Sequence, residues 1–98
     1  MADDALECRL CNRPFARRQL TEHHLKPKSK GGTRDDIALI CAQCHGAIHA
    51  TYTNDTLATL YPTLGQLRLA PELQPYLRWV RKQPPSRRTK NAPRRRKL

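Results

Sequence analysis

The amino-acid sequence predicts one small α+β domain, in which a two-stranded hairpin is followed by short helices and a basic tail. Three observations lead to this fold class. Ninety-eight residues with 38% hydrophobic side chains, one Phe, one Trp and three Tyr can bury little apolar area. Short apolar runs separated by Gly and Pro predict the strands and helices. Two Cys-x-x-Cys pairs provide the additional cross-link that so small a core needs for stability.

The first half of the chain predicts a tight turn and a hairpin. Residues 1–7 are expected to be a frayed end, after which Cys8-Arg-Leu-Cys11 forms a zinc-knuckle turn. Residues 17–25 alternate loosely between apolar and polar side chains and predict the first strand. The apolar run Ile37–Cys41 predicts the strand that returns along the hairpin. A loop with two glycines, residues 28–36, connects the two strands.

The second half of the chain predicts helices. A helix is expected over residues 44–51, and a short one over residues 57–61 after the capping residues Asn54-Asp55-Thr56. Pro71 suits the first turn of a last helix that ends near Lys82. Three apolar side chains of that helix share one stripe and are predicted core residues: Leu73, Leu77 and Val80. The leucines of residues 64–69 are irregularly spaced and predict no element.

The positive charge of the chain is concentrated at its C-terminal end. The formal net charge is +11, and residues 81–98 hold nine Lys or Arg and no acidic residue. Residues 83–98 are therefore predicted to be a disordered basic tail that binds a polyanion, with a folded domain at residues 1–82. Nucleic acid is the preferred partner because neutralised phosphates release counterions. A merely solubilising tail is the alternative.

Targeting signals are not evident. No apolar run reaches the roughly 18 residues of a membrane span, and the N-terminal residues MADDALE are acidic and lack an apolar stretch. We therefore expect a cytoplasmic protein in a reducing compartment.

The four cysteines predict a structural zinc site. Cys8, Cys11, Cys41 and Cys44 form two Cys-x-x-Cys pairs with 29 residues between them. Four thiolates saturate tetrahedral zinc and leave no open position for substrate. Redox-active cysteines are the alternative, but that chemistry uses one such motif in a βαβ fold.

The four histidines predict a second, open metal site. His45 and His49 are four residues apart, so they project from one face of a helical turn. His23 and His24 are adjacent on a strand and face opposite sides, so one of them can be a third ligand while the other is free as a base. Three His with open positions are typical of a catalytic metal. Imidazole favours Zn²⁺, Ni²⁺, Co²⁺ or Mn²⁺ over Mg²⁺. Histidines with purely structural roles are the alternative.

These motifs resemble the HNH endonuclease family, which has a ββα-metal (His-Me finger) fold. The resemblance rests on His23-His24-Leu25-Lys26-Pro27, the Gly31-Gly32 loop and Leu39-Ile40-Cys41-x-x-Cys44-His45-x-x-x-His49, and covers about residues 8–50. It is closest to members with a four-Cys zinc and to the His-rich motif of colicin-type DNases. Small free-standing members occur in bacteria and their phages, with roles in DNA packaging or restriction. The sequence does not choose between these roles.

The resemblance implies a role for each histidine. In the family motif, the first of the paired histidines binds the metal and the second is the general base. Here His23 would be a ligand and His24 the base, and His45 and His49 would complete the site. The family's Asn corresponds to Asp36, which can accept hydrogen bonds but cannot donate them while ionised. Asp36 is therefore expected to brace the loop or lie near the metal, with a plain loop carboxylate as the alternative.

The implied activity is hydrolysis of DNA phosphodiester bonds, by nicking or double-strand cleavage, leaving 5′-phosphate and 3′-hydroxyl ends. A divalent metal (Zn²⁺, Ni²⁺, Mn²⁺ or Mg²⁺) would stabilise the leaving oxygen. Predicted phosphate contacts position the substrate but read no sequence, so we expect weak sequence specificity. They lie in the loop and in the tail: Lys26, Lys28, Lys30, Arg34, Arg87, Arg88, Arg94, Arg95 and Arg96.

Two other functions stay open. The first is a non-catalytic zinc module that binds nucleic acid through the basic tail. The second is an accessory factor of a larger DNA-processing machine, which is compatible with either activity. A closed zinc finger made by Cys41, Cys44, His45 and His49 is disfavoured, because fingers place about twelve residues between their Cys and His pairs.

Overall fold

The computed structural model describes residues 6–25, 37–85 and 97–98. Within these ranges the protein is a mixed domain with two small antiparallel sheets and four α-helices, which confirms the predicted α+β class. The strands are β1 (Leu6–Glu7), β2 (Pro14–Phe15), β3 (Leu20–His24) and β4 (Ile37–Cys41). The helices are α1 (Ala42–Thr51), α2 (Asn54–Leu60), α3 (Leu64–Arg68) and α4 (Gln74–Val80). Two 3-10 turns occur at Arg17–Gln19 and Pro71–Leu73.

The zinc-knuckle turn lies between β1 and β2. Leu6 pairs with Phe15 and Glu7 with Pro14, and the Cys8 N–H donates to the Arg13 carbonyl at 3.0 Å. The expectation of a frayed end is therefore wrong for Leu6–Glu7, because closing the turn brings these residues beside β2. Residues 1–5 lie outside the described part of the chain.

The hairpin that carries the paired histidines is formed by β3 and β4. Thr21 pairs with Ile40, His23 with Ala38 and His24 with Ile37. The returning strand Ile37–Cys41 has the predicted bounds. The first strand begins at Leu20 rather than at residue 17, because residues 17–19 form a 3-10 turn. The connecting loop, residues 26–36, lies outside the described residues.

Helix α1 follows β4 directly. Cys41 is extended and is the N-cap, so the helix begins at Ala42, two residues before the predicted start, and ends at Thr51 as predicted. Cys44, His45 and His49 therefore lie on one continuous helix.

Threonine hydroxyls cap the next two helices. The Thr53 hydroxyl accepts from the Thr56 N–H and the Thr63 hydroxyl accepts from the Gln66 N–H, each at 3.2 Å. The predicted short helix is present but begins at Asn54, and α3 was not predicted. The predicted last helix is divided into the 3-10 turn and α4.

One hydrophobic core joins the helices to the hairpin. The predicted stripe Leu73, Leu77 and Val80 is fully buried, as are Ile40 and Ile48. The cysteines of the zinc knuckle belong to the same cluster, so the metal-binding turn is continuous with the core. Among the described helices, none is long and apolar enough to cross a membrane.

The basic segment, residues 83–98, contacts the folded domain at its two described ends. The Arg13 guanidinium donates from Nη1 to the carbonyls of Gln83 (3.4 Å) and Pro84 (3.1 Å). The Leu98 N–H donates to the Thr51 carbonyl at 2.9 Å, and the Thr53 N–H donates to the Leu98 carbonyl at 2.8 Å. The predicted domain boundary at residue 82 remains a prediction, and residues 86–96 lie outside the described chain.

Candidate metal centres

The four cysteines form a buried cluster. Their sulfur atoms all lie within 4.8 Å of one another, and each residue is at most 2% exposed. Cys8 and Cys11 come from the turn between β1 and β2, Cys41 ends β4, and Cys44 lies in the first turn of α1. The cluster thus holds together three parts of the fold, in the arrangement of a structural zinc site.

Backbone amides surround the sulfur of Cys8. The N–H groups of Leu10, Cys11 and Cys41 point at this atom, at 3.4, 3.4 and 3.3 Å. Three donors on one sulfur stabilise a thiolate, the form that binds metal.

A buried arginine supports the same conclusion. Arg13 is 5% exposed, and its guanidinium donates to Cys11 Sγ at 3.2 Å and to Cys41 Sγ at 3.6 Å. Its charge also lies 5.2 Å from the centre of the Phe15 ring. Burying a guanidinium is costly unless its partners are anionic. Two of its partners are cysteine sulfurs, so the donor set fits thiolates around a zinc ion. A cluster of four thiolates and one Zn²⁺ has a net charge of −2, which this arginine partly offsets.

The fourth thiol has its own donor. The Tyr76 hydroxyl lies 3.2 Å from Cys44 Sγ, and burial, followed by the nearby Cys44, raises the pKa of this phenol. The phenol therefore stays protonated at neutral pH and can donate to the sulfur. A residue expected only to flank the core stripe is thus in contact with the metal cluster.

The thiols do not titrate independently. Hydrogen bonds with Cys41, Cys44 and Cys8 hold the pKa of Cys11 well below its ordinary value, and Arg13 lowers it further. Hydrogen bonds with Cys11, Cys41 and Cys8, together with burial, raise the pKa of Cys44. A zinc ion displaces the protons that remain on these thiols when all four sulfurs bind as thiolates.

Three of the four histidines form a second cluster. Nitrogen atoms of His23, His45 and His49 lie within 4.8 Å of one another. The ring centroids are 5.5 Å apart for His23 and His45, 5.4 Å for His23 and His49, and 5.0 Å for His45 and His49. Packing of α1 against β3 brings the strand histidine to the two helical ones. The three predicted ligands are therefore in one place.

His23 provides the test of whether this cluster fits a metal. The residue is 1% exposed, and neither of its ring nitrogens has a hydrogen-bond partner among the residues that the structure describes. A buried polar atom without a partner costs about 1–3 kcal/mol. A metal ion at the centre of the triangle would use one of these nitrogens, so the three residues fit such an ion.

The electrostatics of the cluster favour neutral imidazoles. Burial, followed by the charges of His49, His45 and His24, lowers the pKa of His23 to about 4. Burial, with smaller effects of His49 and His24, lowers the pKa of His45. Burial and then Lys97 lower the pKa of His49. A neutral ring has the free lone pair that a metal ligand requires.

His24 lies beside this cluster without belonging to it. It follows His23 on β3, is only half-buried, and acts electrostatically on both His23 and His45. Adjacent strand residues face opposite sides, as expected from the sequence. The prediction that His24 is the base is not tested by this geometry.

Several predicted contacts lie outside the described residues. These are Asp36, Lys26, Lys28, Lys30 and Arg34 in the loop and Arg87, Arg88, Arg94, Arg95 and Arg96 in the tail. The structure adds three polar partners of the clusters that were not predicted: Arg13, Tyr76 and Thr21, whose hydroxyl lies 2.7 Å from His45 Nδ1. Thr21 lies two residues before His23 and shares its strand face, so this spacing could have predicted that Thr21 lies near the cluster.

Comparison with known proteins agrees with this arrangement. The sequence model for HNH endonuclease matches residues 8–51, a range that contains all seven predicted metal ligands. The uncharacterized protein YisB of Bacillus subtilis (strain 168) is 49% identical over 80 residues, which cover 82% of this chain and 78% of that protein. No solved structure matches the chain.

Proposed function

The chain belongs to the HNH endonuclease family, and we propose that it is a metal-dependent endonuclease that hydrolyses DNA phosphodiester bonds. Family membership supports a nuclease-type or nucleic-acid-associated role. One observation carries the catalytic proposal: His23 is buried beside His45 and His49, and among the described residues neither of its ring nitrogens has a partner. Among the described residues this cluster has three ligands, and a metal site that keeps an open position is the kind that supports catalysis.

The cysteine cluster has the structural role in this proposal. Four thiolates fill the coordination sphere of zinc, so no position remains for a phosphate oxygen or water. The zinc ion instead fixes the turn after β1 against the start of α1. The metal that acts on substrate is therefore assigned to the three histidines.

The chemistry is divided between the metal and the protein. His23, His45 and His49 would hold a divalent ion, which would supply positive charge to the scissile phosphate and to the leaving 3′ oxygen. His24 accepts a proton from the water that attacks phosphorus, the bond from phosphorus to the 3′ oxygen breaks, and that oxygen takes a proton from solvent water. The products carry 5′-phosphate and 3′-hydroxyl ends.

Cationic side chains are proposed to hold the DNA backbone. Lys97 acts electrostatically on His49, and the backbone hydrogen bonds of Leu98 to Thr51 and Thr53 support its position beside α1. The basic residues of the loop and tail are proposed to add further phosphate contacts. Contacts of this kind fix the position of the duplex without reading bases, so we propose weak sequence specificity.

A non-catalytic nucleic-acid-binding module is the second candidate. It is favoured by one departure from the family pattern, the replacement of the family's Asn by Asp36. In that case the cysteine cluster would retain its structural role and the basic segment would carry the binding.

Cleavage of supercoiled plasmid tests the two candidates. Wild type is expected to nick or linearise DNA with one or more of Mg²⁺, Mn²⁺, Ni²⁺ and Zn²⁺. Loss of the general base in His24→Ala should slow cleavage by about 10²–10⁴-fold. Glu22→Ala is the matched control, because Glu22 is exposed on the same face of β3, and it should cleave at nearly the wild-type rate.

The outcomes separate the candidates. Metal-dependent cleavage that His24→Ala loses, with zinc content and fold retained, supports the endonuclease. No cleavage by a folded, zinc-loaded wild type that still binds DNA overturns it and supports the binding module.

A further inference from the structure

Thr21 connects the strand hairpin to one of the helical histidines. Its hydroxyl oxygen lies 2.7 Å from Nδ1 of His45 and 3.0 Å from the carbonyl oxygen of Ile40. Thr21 pairs with Ile40 across β3 and β4, while His45 lies on α1. The hydroxyl is therefore held by the hairpin at a point that faces the helix.

The single hydrogen of the hydroxyl group fixes the direction of both contacts if both are hydrogen bonds. A threonine hydroxyl has one hydrogen, and a carbonyl oxygen can only accept. An oxygen–oxygen distance of 3.0 Å is a hydrogen bond only if that hydrogen points at Ile40. The 2.7 Å contact is then a hydrogen bond only if Nδ1 of His45 carries a proton and donates it to Thr21.

We propose that Thr21 is a positioning residue that holds His45 in the tautomer with its proton on Nδ1, leaving the lone pair of Nε2 for the metal. The inference rests on the metal site of the proposed function, but not on whether the protein cleaves DNA. Histidine ligands commonly donate their second ring N–H to an oxygen, which fixes the tautomer and the ring orientation.

The surrounding geometry gives this contact its effect. The His45 ring meets that of His23 almost edge-on, with an interplanar angle of 84°. Rotation of His45 about its side chain would break the Thr21 contact and change the direction in which Nε2 points. A neutral histidine without this acceptor could instead carry its proton on Nε2, which would block coordination.

The first test reads the tautomer directly. Two-bond proton–nitrogen correlation spectra are measured on the full chain at neutral pH, with zinc in the cysteine cluster and no metal added for the histidines. His45 is expected to carry its proton on Nδ1. In Thr21→Val, which keeps the shape but lacks the acceptor, the Nε2-protonated form should increase. A wild-type His45 protonated on Nε2 overturns the proposal.

The second test measures metal affinity. Nickel is titrated by calorimetry into zinc-loaded wild type, Thr21→Val and Thr21→Ser. Loss of the acceptor should weaken nickel binding by about 10–100-fold in Thr21→Val. Thr21→Ser keeps the hydroxyl and should bind nickel nearly as tightly as wild type.

Thr51→Val is the matched control for both measurements. Thr51 is also half-buried, and its hydroxyl donates to the Ala47 carbonyl at 2.8 Å rather than contacting a ring of the histidine cluster. It should leave the tautomer and the nickel affinity unchanged. Equal nickel affinity of Thr21→Val and wild type contradicts the proposal. If Thr21→Val does not fold, the tautomer of His45 in wild type still decides, and that readout does not depend on cleavage.

Discussion

At the scale of single residues, His23 is the observation that most favours the proposed second metal site. An apolar side chain would fill the same position without leaving two ring nitrogens unpartnered among the described residues. The buried histidine therefore lowers the stability of the metal-free fold, at a cost of about 1–3 kcal/mol for each unpartnered group. A ligand role explains why such a residue is present, because bound metal offsets that cost.

Burial of His23 should make the free energy of unfolding depend on pH. The pKa of His23 is about 4 in the folded protein, below the ordinary histidine value of 6.5. Between these values the unfolded chain binds a proton that the folded protein excludes, so stability falls as the pH falls. For His23 alone, linkage predicts a loss of about 2 kcal/mol between pH 7 and pH 5.

Urea unfolding of zinc-loaded wild type and His23→Leu at both pH values measures this loss. The variant keeps the cysteine cluster, so acid effects on zinc cancel in the comparison. Wild type should lose more stability than the variant. An equal loss in the two proteins would show that His23 is not held neutral by the fold.

The side chains that come together in the two clusters were largely predictable, whereas their polar partners were not. Cys-x-x-Cys spacing and the four-residue spacing of His45 and His49 are visible in the sequence because local geometry determines them. Arg13 and Tyr76 reach the sulfur atoms only through the closed turn and the docked α4. Contacts that depend on tertiary packing leave no local pattern to read.

At the scale of elements, the ends of helices and strands were the main source of error. The strand Ile37–Cys41 was predicted with its bounds because a short apolar run between polar segments is distinctive. Helix α3 was missed because its leucines follow no clear helical spacing, although Thr63 provides an N-cap. The start of α3 is therefore determined by a side-chain hydrogen bond rather than by the apolar pattern.

The last helix should make a measurable contribution to stability through its apolar stripe. Leu77 is fully buried, whereas Leu60 on α2 is 56% exposed. Leu77→Ala should lower the free energy of unfolding by about 2–5 kcal/mol because it creates a cavity. Leu60→Ala should change it by no more than about 0.5 kcal/mol. Urea unfolding of zinc-loaded protein measures both, and a similar effect of the two substitutions would contradict the assignment of this core.

At the scale of the whole molecule, the cysteine cluster and the histidine cluster share one helix. Cys44 and His45 are neighbours on α1, and Cys41 precedes its first residue. Fixing the start of the helix through the four sulfurs therefore also orients the histidines against β3. The cysteine cluster supports the proposed catalytic site through this shared element rather than through direct contact with substrate.

The basic segment should control how strongly DNA binding depends on salt. Because residues 83–84 and 98 contact the domain, changing charges is a cleaner test than deleting the segment. Replacing Arg87, Arg88, Arg94, Arg95 and Arg96 by Gln should reduce the slope of log K against log salt by about 0.9 for each phosphate that the protein no longer neutralises. Fluorescence anisotropy with a labelled duplex at several salt concentrations measures the slope. An unchanged slope would remove this segment from the DNA-binding surface.

Three histidines are proposed to hold a second metal ion beside a closed zinc site. Native mass spectrometry of zinc-loaded protein titrated with nickel counts the ions directly. Two ions are expected on wild type and on His24→Ala, and one ion, retained by the cysteines, on His23→Leu. A wild type that never binds more than one ion, or a His23→Leu variant that still binds two, would contradict the account.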